Sequence, residues 1–491
     1  MRLWIAVHLP LLPLEVFYPN WLDDAAAVVL EHARVIAASP GAREAGVRVG
    51  MTRGGVLALL PQAPLHDRAP EREAQQRFAV ATALLQYTPQ ASISDHATLV
   101  LDISASLRLF GGIRALRRRV CQTVKLLGLT ARVSCAPTAA GAALLARYGA
   151  GNVLQMAHLH RKLDRLPVAA LPPAGPYLDW LDGIGCRTLS DLRRLPRAGV
   201  QRRADARMLE LLDRAYGTAP ELHTWIEMPP SFRQRIEFNA RIESAEAAQH
   251  AIQALLVQLC GWLSARQLAI TQVQVALEHE RGRQAVAPTV MQLSLAEPTW
   301  VDTHLMRLLR ERLAQLELCA PVIAAVLEAT QTEAMAPVSE DLFPEPGGSP
   351  ADYQRLVELL IARLGPEQVR QASPLADYRP EQANRWVSVM TPAGRPDAPG
   401  LDEHPFAPRP TWLLEQPIAL SLRQHRPYYG SRLRPISPPE RIEAGWWNGQ
   451  LVTRDYYIAE DVKHCHYWIY RERIGDVEGI EPQWYLHGLF G

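Results

Sequence analysis

Between residues 232 and 334 the hydrophobic pattern changes period repeatedly, and the order of those changes restricts the fold more than any other stretch. Alternating runs at 232–242, 268–279, 289–296 and 321–332 read as strands, and helical patterns fill 244–265 and 301–316. Strand, helix, strand, strand, helix, strand predicts a sheet of about four strands with both helices on one face. Upstream, short β-like runs at 3–8, 26–38, 98–104 and 130–136 alternate with helical stretches at 71–87, 112–127 and 138–148, the pattern of an α/β domain. "LPVAALPP" (166–173) marks a proline boundary, and 176–217 reads as helical around a "DGIG" turn. Downstream, "EAMAPVSEDLFPEPGGSP" (333–350) reads as a linker, 351–371 as helical, and 405–491 is rich in Trp and Tyr. The expected fold class is multidomain α/β and α+β. Its segments are 1–165, 166–228, 229–334, a 335–350 linker and a 351–491 C-terminal region.

The 491 residues are enough for three or four domains, roughly one per 100–200 residues. With 52 Lys+Arg against 51 Asp+Glu, bulk charge decides nothing about nucleic acid, so only local clusters can. Arginine supplies most of the positive charge. The six cysteines (Cys121, Cys135, Cys186, Cys260, Cys319, Cys465) form no CxxC pair, which argues against a disulfide framework or zinc knuckle and fits a reducing compartment. The opening apolar run is short and contains prolines and Glu15, unlike a secretory signal. No segment approaches the roughly 20 apolar residues of a membrane span, so a cytoplasmic protein with no membrane association is expected.

Four collinear stretches resemble the Y-family translesion DNA polymerases: "ARVIAASPGAREAGVRVGM" (33–51), "ATLVLDISASLRLFGG" (97–112), "LTARVSCAPTAAGAALLAR" (129–147) and "WLDGIGCRTLSDLRRLP" (180–196). The resemblance implies palm and fingers in 1–165, a helix-hairpin-helix thumb in 166–228 and a βαββαβ little finger in 229–334. It also implies that Arg43 faces an incoming triphosphate.

Family members hold two divalent ions with aspartates on the first strand and an Asp-Glu pair in the second palm motif, because phosphoryl transfer needs neutralised oxygens. Here those places fall on Ala6, His8, Ala97 and Thr98, while Pro40 and Ala139 stand where a tyrosine and a lysine would face phosphates. Magnesium binds through carboxylates and phosphates, so no metal, no cofactor and no catalytic residue are expected. The alternative is a low-activity polymerase using displaced acids such as Asp95 or Asp102.

The tail motifs "PERIEAGWWNGQLVTRDYYIAED" (439–461), "YWIYRER" (467–473) and "WYLHGLFG" (484–491) resemble the ImuB subfamily. That resemblance implies a non-catalytic adaptor in damage-induced, error-prone synthesis. Its expected partners are DNA, the sliding clamp, an ImuC-type C-family polymerase and an ImuA, RecA-like protein. A plain DNA-binding repair factor without clamp contact is a third reading.

In "LDGIGCRT" (181–188), Gly183, Ile184 and Gly185 would let backbone N–H groups approach a phosphate at a helix N-terminus, with Arg187, Arg193, Arg194 and Arg197 close by. The competing reading is a tight interhelical turn. Arg233 and Arg235 share a strand face by period two and could contact phosphates. Arg114, Arg117, Arg118 and Arg119 lie on one helix, where a solvated face is the simpler reading. "SEDLFP" (339–344) is similar to a clamp-binding peptide: Leu342 and Phe343 would fill an apolar pocket beside Asp341, with Ser339 in place of the usual glutamine. His464 and His466 would share a strand face, but two ligands do not make a zinc site. Trp446, Trp447, Trp468 and Trp484 divide between core and recognition, mostly core, and the terminal "LHGLF" is the better candidate partner surface.

Overall fold

The computed structural model describes residues 2–20, 26–95, 97–149, 151–280, 286–335, 350–389, 408–473 and 483–491. They fall into two compact units, Met1–Ala362 and Arg363–Gly491.

The first unit begins with β1 (Trp4–His8), α1 (Leu12–Glu15), β2 (Val28–Glu31) and β3 (Arg34–Ala38). The 26–38 run, expected as one β-like stretch, is a hairpin, because His32 and Ala33 take φ values of 49° and 62° and turn the chain back. After α2 (Pro40–Glu44) and α3 (Arg53–Leu59), β4 (Leu65–Asp67) joins β2 in parallel, completing a three-stranded sheet ordered β3-β2-β4.

Next come α4 (Pro70–Leu84), β5 (Ala91–Asp95), β6 (Thr98–Asp102), α5 (Ile113–Leu126), β7 (Arg132–Ala136) and α6 (Ala139–Tyr148). The antiparallel sheet runs β5-β6-β1-β7. β1 reads as apolar throughout because both its faces are covered. Ile5 and Val7 pack in one core with residues of α4 and α5, while Trp4 and Ala6 pack in another with residues of α6. That second core also holds residues of the helical segment α7 (Met156–Leu163), α8 (Leu178–Gly183), α9 (Leu189–Arg194), α10 (Arg197–Arg203) and α11 (Ala206–Ala215).

The predicted βαββαβ pattern is present as β8 (Arg233–Ile242), α12 (Gln249–Arg266), β9 (Leu268–His279), β10 (Thr289–Thr299), α13 (Asp302–Ala314) and β11 (Val322–Ala334). The sheet order is β10-β9-β11-β8. Twelve of the 18 residues of α12 are buried because the helix serves two cores. Leu255, Leu259 and Trp262 lie in the core of this sheet, whereas Ala254 and Val257 join the core of α4 and α5. At α14 (Pro350–Leu364), Leu359 and Ala362 add to the sheet core, and His304 Nε2 lies 2.7 Å from Glu358 Oε2.

In the second unit, β12 (Arg370–Pro374) pairs with β13 (Asn384–Ser388). The helix expected over 351–371 therefore ends early, beyond Leu364, where Gly365 takes a φ of 87° and no side chain favours continuation. A larger sheet follows, built from β14 (Trp412–Arg423), β15 (Arg426–Tyr429), β16 (Ser431–Arg432), β17 (Arg434–Pro435), β18 (Glu440–Ala444), β19 (Val452–Glu460), β20 (His466–Glu472) and β21 (Trp484–Leu489).

Tyr456, Trp468, Tyr470 and His487 stack in its interior; Tyr456 and Trp468 have ring centroids 4.1 Å apart. Two tail expectations are corrected here. Trp446 and Trp447 are 72% and 52% exposed, held out on a turn between Gly445 and Gly449, both at positive φ. Conversely, Leu486, His487 and Gly488 of "LHGLF" are buried in β21, so the segment is more core than surface.

Candidate nucleic-acid interface

The register of β1 against β6 sets His8 opposite Thr98, and Leu9 N donates to Ala97 O at 2.8 Å, so three of the four positions implied for metal ligands lie at neighbouring ends of these two strands, with Ala6 at mid-strand opposite Val100. They present chemistry unsuited to a divalent cation. Ala6 and Thr98 are fully buried, and His8 Nδ1 is 3.0 Å from Thr98 Oγ1. Burial, with Arg147 and Arg132 nearby, lowers the pKa of His8 and favours the neutral ring. Asp95 accepts from Ala97 N and is ion-paired with Arg147. Asp102, four residues along β6 from Thr98 and therefore about 13 Å away, accepts from the backbone and hydroxyl of Ser104. Among the described residues no group of three or more His, Cys, Asp or Glu side chains is arranged to hold a metal.

The positions tied by resemblance to triphosphate contact are also committed. Pro40 opens α2 behind the Ser39 cap. Ala139 and Ala140 donate their N–H groups to the Glu221 carboxylate at 2.8 and 2.7 Å, so a side chain of this chain already satisfies the positive end of α6. Arg43 is exposed.

At the predicted helix-hairpin-helix, Gly183 ends α8 and Gly185 has a φ of 75°, as the turn requires. The expectation of backbone N–H groups aimed at a phosphate is corrected. Ile184 N donates to Trp180 O, Gly185 N to Asp182 O and Cys186 N to Leu181 O, while Arg187 N is shared with Asp191. The turn closes on itself, so any contact there falls to the Arg187 side chain, which is 76% exposed and pairs with the equally open Asp182. Arg193 and Arg197 are held by Asp164 and Asp213.

Arg233 and Arg235 do share a face of β8, yet both meet carboxylates. Arg233 pairs with Glu328, and Arg235 with Glu237 and Glu278. On the α5 helix, Arg117 donates to Val133 O and Arg119 lies over Phe110, leaving Arg114 and Arg118 exposed without such contacts.

Ser339, Asp341, Leu342 and Phe343 lie outside the described residues. His464 sits in a turn with a φ of 63° rather than in a strand, so the alternation expected for His464 and His466 does not apply; both instead approach Glu460. A cationic face on α7, carrying His158, Arg161 and Lys162, is a feature the sequence reading passed over.

Residues 15–147 match the impB/mucB/samB family. The chain is 27% identical to Protein ImuB of Caulobacter vibrioides, in strains NA1000 / CB15N and ATCC 19089 / CIP 103742 / CB 15 alike, over 467 residues covering 91% of this chain and 100% of the relative. Among solved structures it is similar to DinB from Sulfolobus solfataricus at 14% identity, covering 67% of this chain and 98% of that chain with a TM-score of 0.36. A Y-family DNA polymerase chimera gives the same figures. The chain is thus similar to Protein ImuB over nearly its whole length, with the impB/mucB/samB match confined to its first third.

Proposed function

We propose that the chain is a non-catalytic adaptor in error-prone translesion DNA synthesis, within the DNA-damage-tolerance role that its homology supports. One observation carries the reading: where a nucleotidyl transferase needs carboxylates, His8 and Thr98 face each other and Asp95 is bound to Arg147. On this reading 1–165 forms palm and fingers, 166–228 the thumb and 229–334 the little finger. The linker at 335–350 presents the clamp-binding peptide, and 351–491 is a partner-binding region. The scaffold binds primer–template DNA, while a sliding clamp and an ImuC-type polymerase, joined by an ImuA-like protein, supply processivity and chemistry.

A polymerase using displaced acids is the weaker reading, since Asp95 and Asp102 are far apart and each already has donors. Primer extension by the purified chain in magnesium and in manganese is the test. Template-dependent incorporation that disappears in Asp95→Asn or Asp102→Asn overturns the adaptor reading, and silence with retained DNA binding supports it.

A further inference from the structure

We infer that the cleft beside α7 is a binding site for the phosphate backbone of DNA, adjoining the glycine turn and separate from the β8 arginines. The inference rests on the chain acting at DNA. Its starting point is a cleft of about 490 Å3 lined by Asn152, Val153, Leu154 and Gln155 on one side and His158, Arg161, Lys162 and Arg165 on the other.

The helix explains why three of these basic residues gather: positions 158, 161 and 162 follow the i, i+3, i+4 spacing of a single helical face, and Arg165 follows in the turn just past the end of α7. The opposite face, Leu159 and Leu163 with Leu166 beyond, is buried in the core beneath. Burial of the leucines therefore forces the basic residues outward as a group. The loop across the cleft is fixed to the edge strand β7, because Asn152 Oδ1 accepts from Cys135 N at 3.1 Å and Val153 N donates to Cys135 O at 2.8 Å.

Charge selects an anion. No acid lines the cleft. Asp164, the neighbouring carboxylate in the chain, is turned away to Arg193 and to the Tyr216 hydroxyl, at 3.0 and 2.7 Å.

Two further features favour a nucleic-acid backbone over a nucleobase or a free nucleotide. The lining has no Phe, Tyr or Trp ring, and the His158 imidazole is its one small stacking surface. The site also continues into the hairpin: Val168 N donates to Arg187 O and Leu189 N to Leu166 O, both at 2.9 Å, which ties the end of α7 to the start of α9. A phosphate chain lying along α7 would thus meet Arg161 and Arg165, then Arg187. The self-closed glycine turn leaves side chains, rather than backbone N–H groups, to make these contacts.

The test uses the full chain and a fluorescent primer–template duplex, with fluorescence anisotropy measured across a salt series. Arg161→Ala with Arg165→Ala should weaken binding on the order of tenfold near physiological salt and lower the log–log salt slope by about two units, with melting unchanged because both side chains are exposed. Arg114→Ala with Arg118→Ala, on α5, removes the same charge elsewhere and should leave the slope close to the parent value. An α7 variant with the parent's affinity and slope overturns the site while leaving the adaptor reading intact. A loss matched by the α5 variant assigns the effect to net charge and also overturns it. If the parent itself fails to bind the duplex, DNA engagement and the site fall together. An α7 variant that keeps its DNA affinity but loses the purified clamp would assign the cleft to an acidic protein surface instead.

Discussion

A Cβ built on Gly261 of α12 would stand 1.9 Å from the carbonyl oxygen of Thr82 in α4, so the two helices cross with backbone against backbone. This contact seats the βαββαβ segment on the core of the β5-β6-β1-β7 sheet, and Ala254 and Val257 from the same helix enter that core.

Gly261→Ala is therefore expected to destabilise the chain, although alanine ordinarily improves a helix interior by about 1 kcal/mol. The obstacle is a main-chain carbonyl that cannot rotate away, and overpacking of this kind costs roughly 1–3 kcal/mol. Thermal melting checks it: a variant as stable as the parent would show that the crossing relaxes freely.

Restoring acids through Ala6→Asp, Ala97→Asp and Thr98→Glu should not produce a polymerase. Ala6 and Thr98 have no solvent exposure, Arg147 already holds Asp95, and Glu221 occupies the N-terminus of α6. Expected instead are no primer extension in magnesium or manganese and a lower melting temperature, from unpaired charge placed in a core. Extension above the parent's background would refute this.

On the β8 face, Glu237→Gln with Glu278→Gln should free Arg235 from both of its partners. DNA binding at low salt should tighten severalfold and the salt slope should steepen by up to about one unit, whereas Arg233→Ala with Arg235→Ala should flatten it. Slopes unchanged in both variants would remove this face from the DNA surface.

Leu342→Ala with Phe343→Ala should abolish clamp binding while leaving the fold intact. Truncating a central apolar anchor costs about 2 kcal/mol or more, on the order of thirtyfold in affinity. Ser339→Gln should tighten the complex. The expectation is falsified if the double variant binds the clamp like the parent and melts at a lower temperature.

His487 makes the second unit sensitive to acid. It is fully buried, its Nδ1 lies 2.8 Å from the Tyr456 hydroxyl, and its Nε2 is 4.0 Å from Glu381, beyond hydrogen-bond reach. Burial outweighs Glu381 and pushes its pKa down to about 4. The folded state thus binds its proton later than the unfolded chain, which takes it up near pH 6.5. Stability from this group is complete above about pH 6.5 and declines as pH falls to about 4, by up to about 3 kcal/mol. Urea melts at pH 7 and pH 4.5 should show the decline, and His487→Gln should flatten it.

Periodicity alone determined the βαββαβ segment, because a sheet with one covered face and two helices with one covered stripe each leave a readable signature. That Ala6, His8, Ala97 and Thr98 carry no carboxylate was equally legible, since residue identity alone fixes it. Other features depended on neighbours distant in sequence. Nothing local distinguishes β2 and β3 from one strand, because the reversal rests on positive φ at His32 and Ala33, two residues with no strong turn preference as a pair. Arg233 and Arg235 read as open cations because Glu328 lies 95 positions from Arg233 and Glu278 lies 43 positions from Arg235. Trp446 and Trp447 read as core because hydrophobicity favours burial, yet the glycine-bounded turn that carries them leaves no element to cover them. The sequence by itself determined which side chains can bind charge and where regular elements form. Only tertiary packing decided which charges were already neutralised and which faces stayed open, because ion pairing and burial depend on distances that the chain closes only when folded.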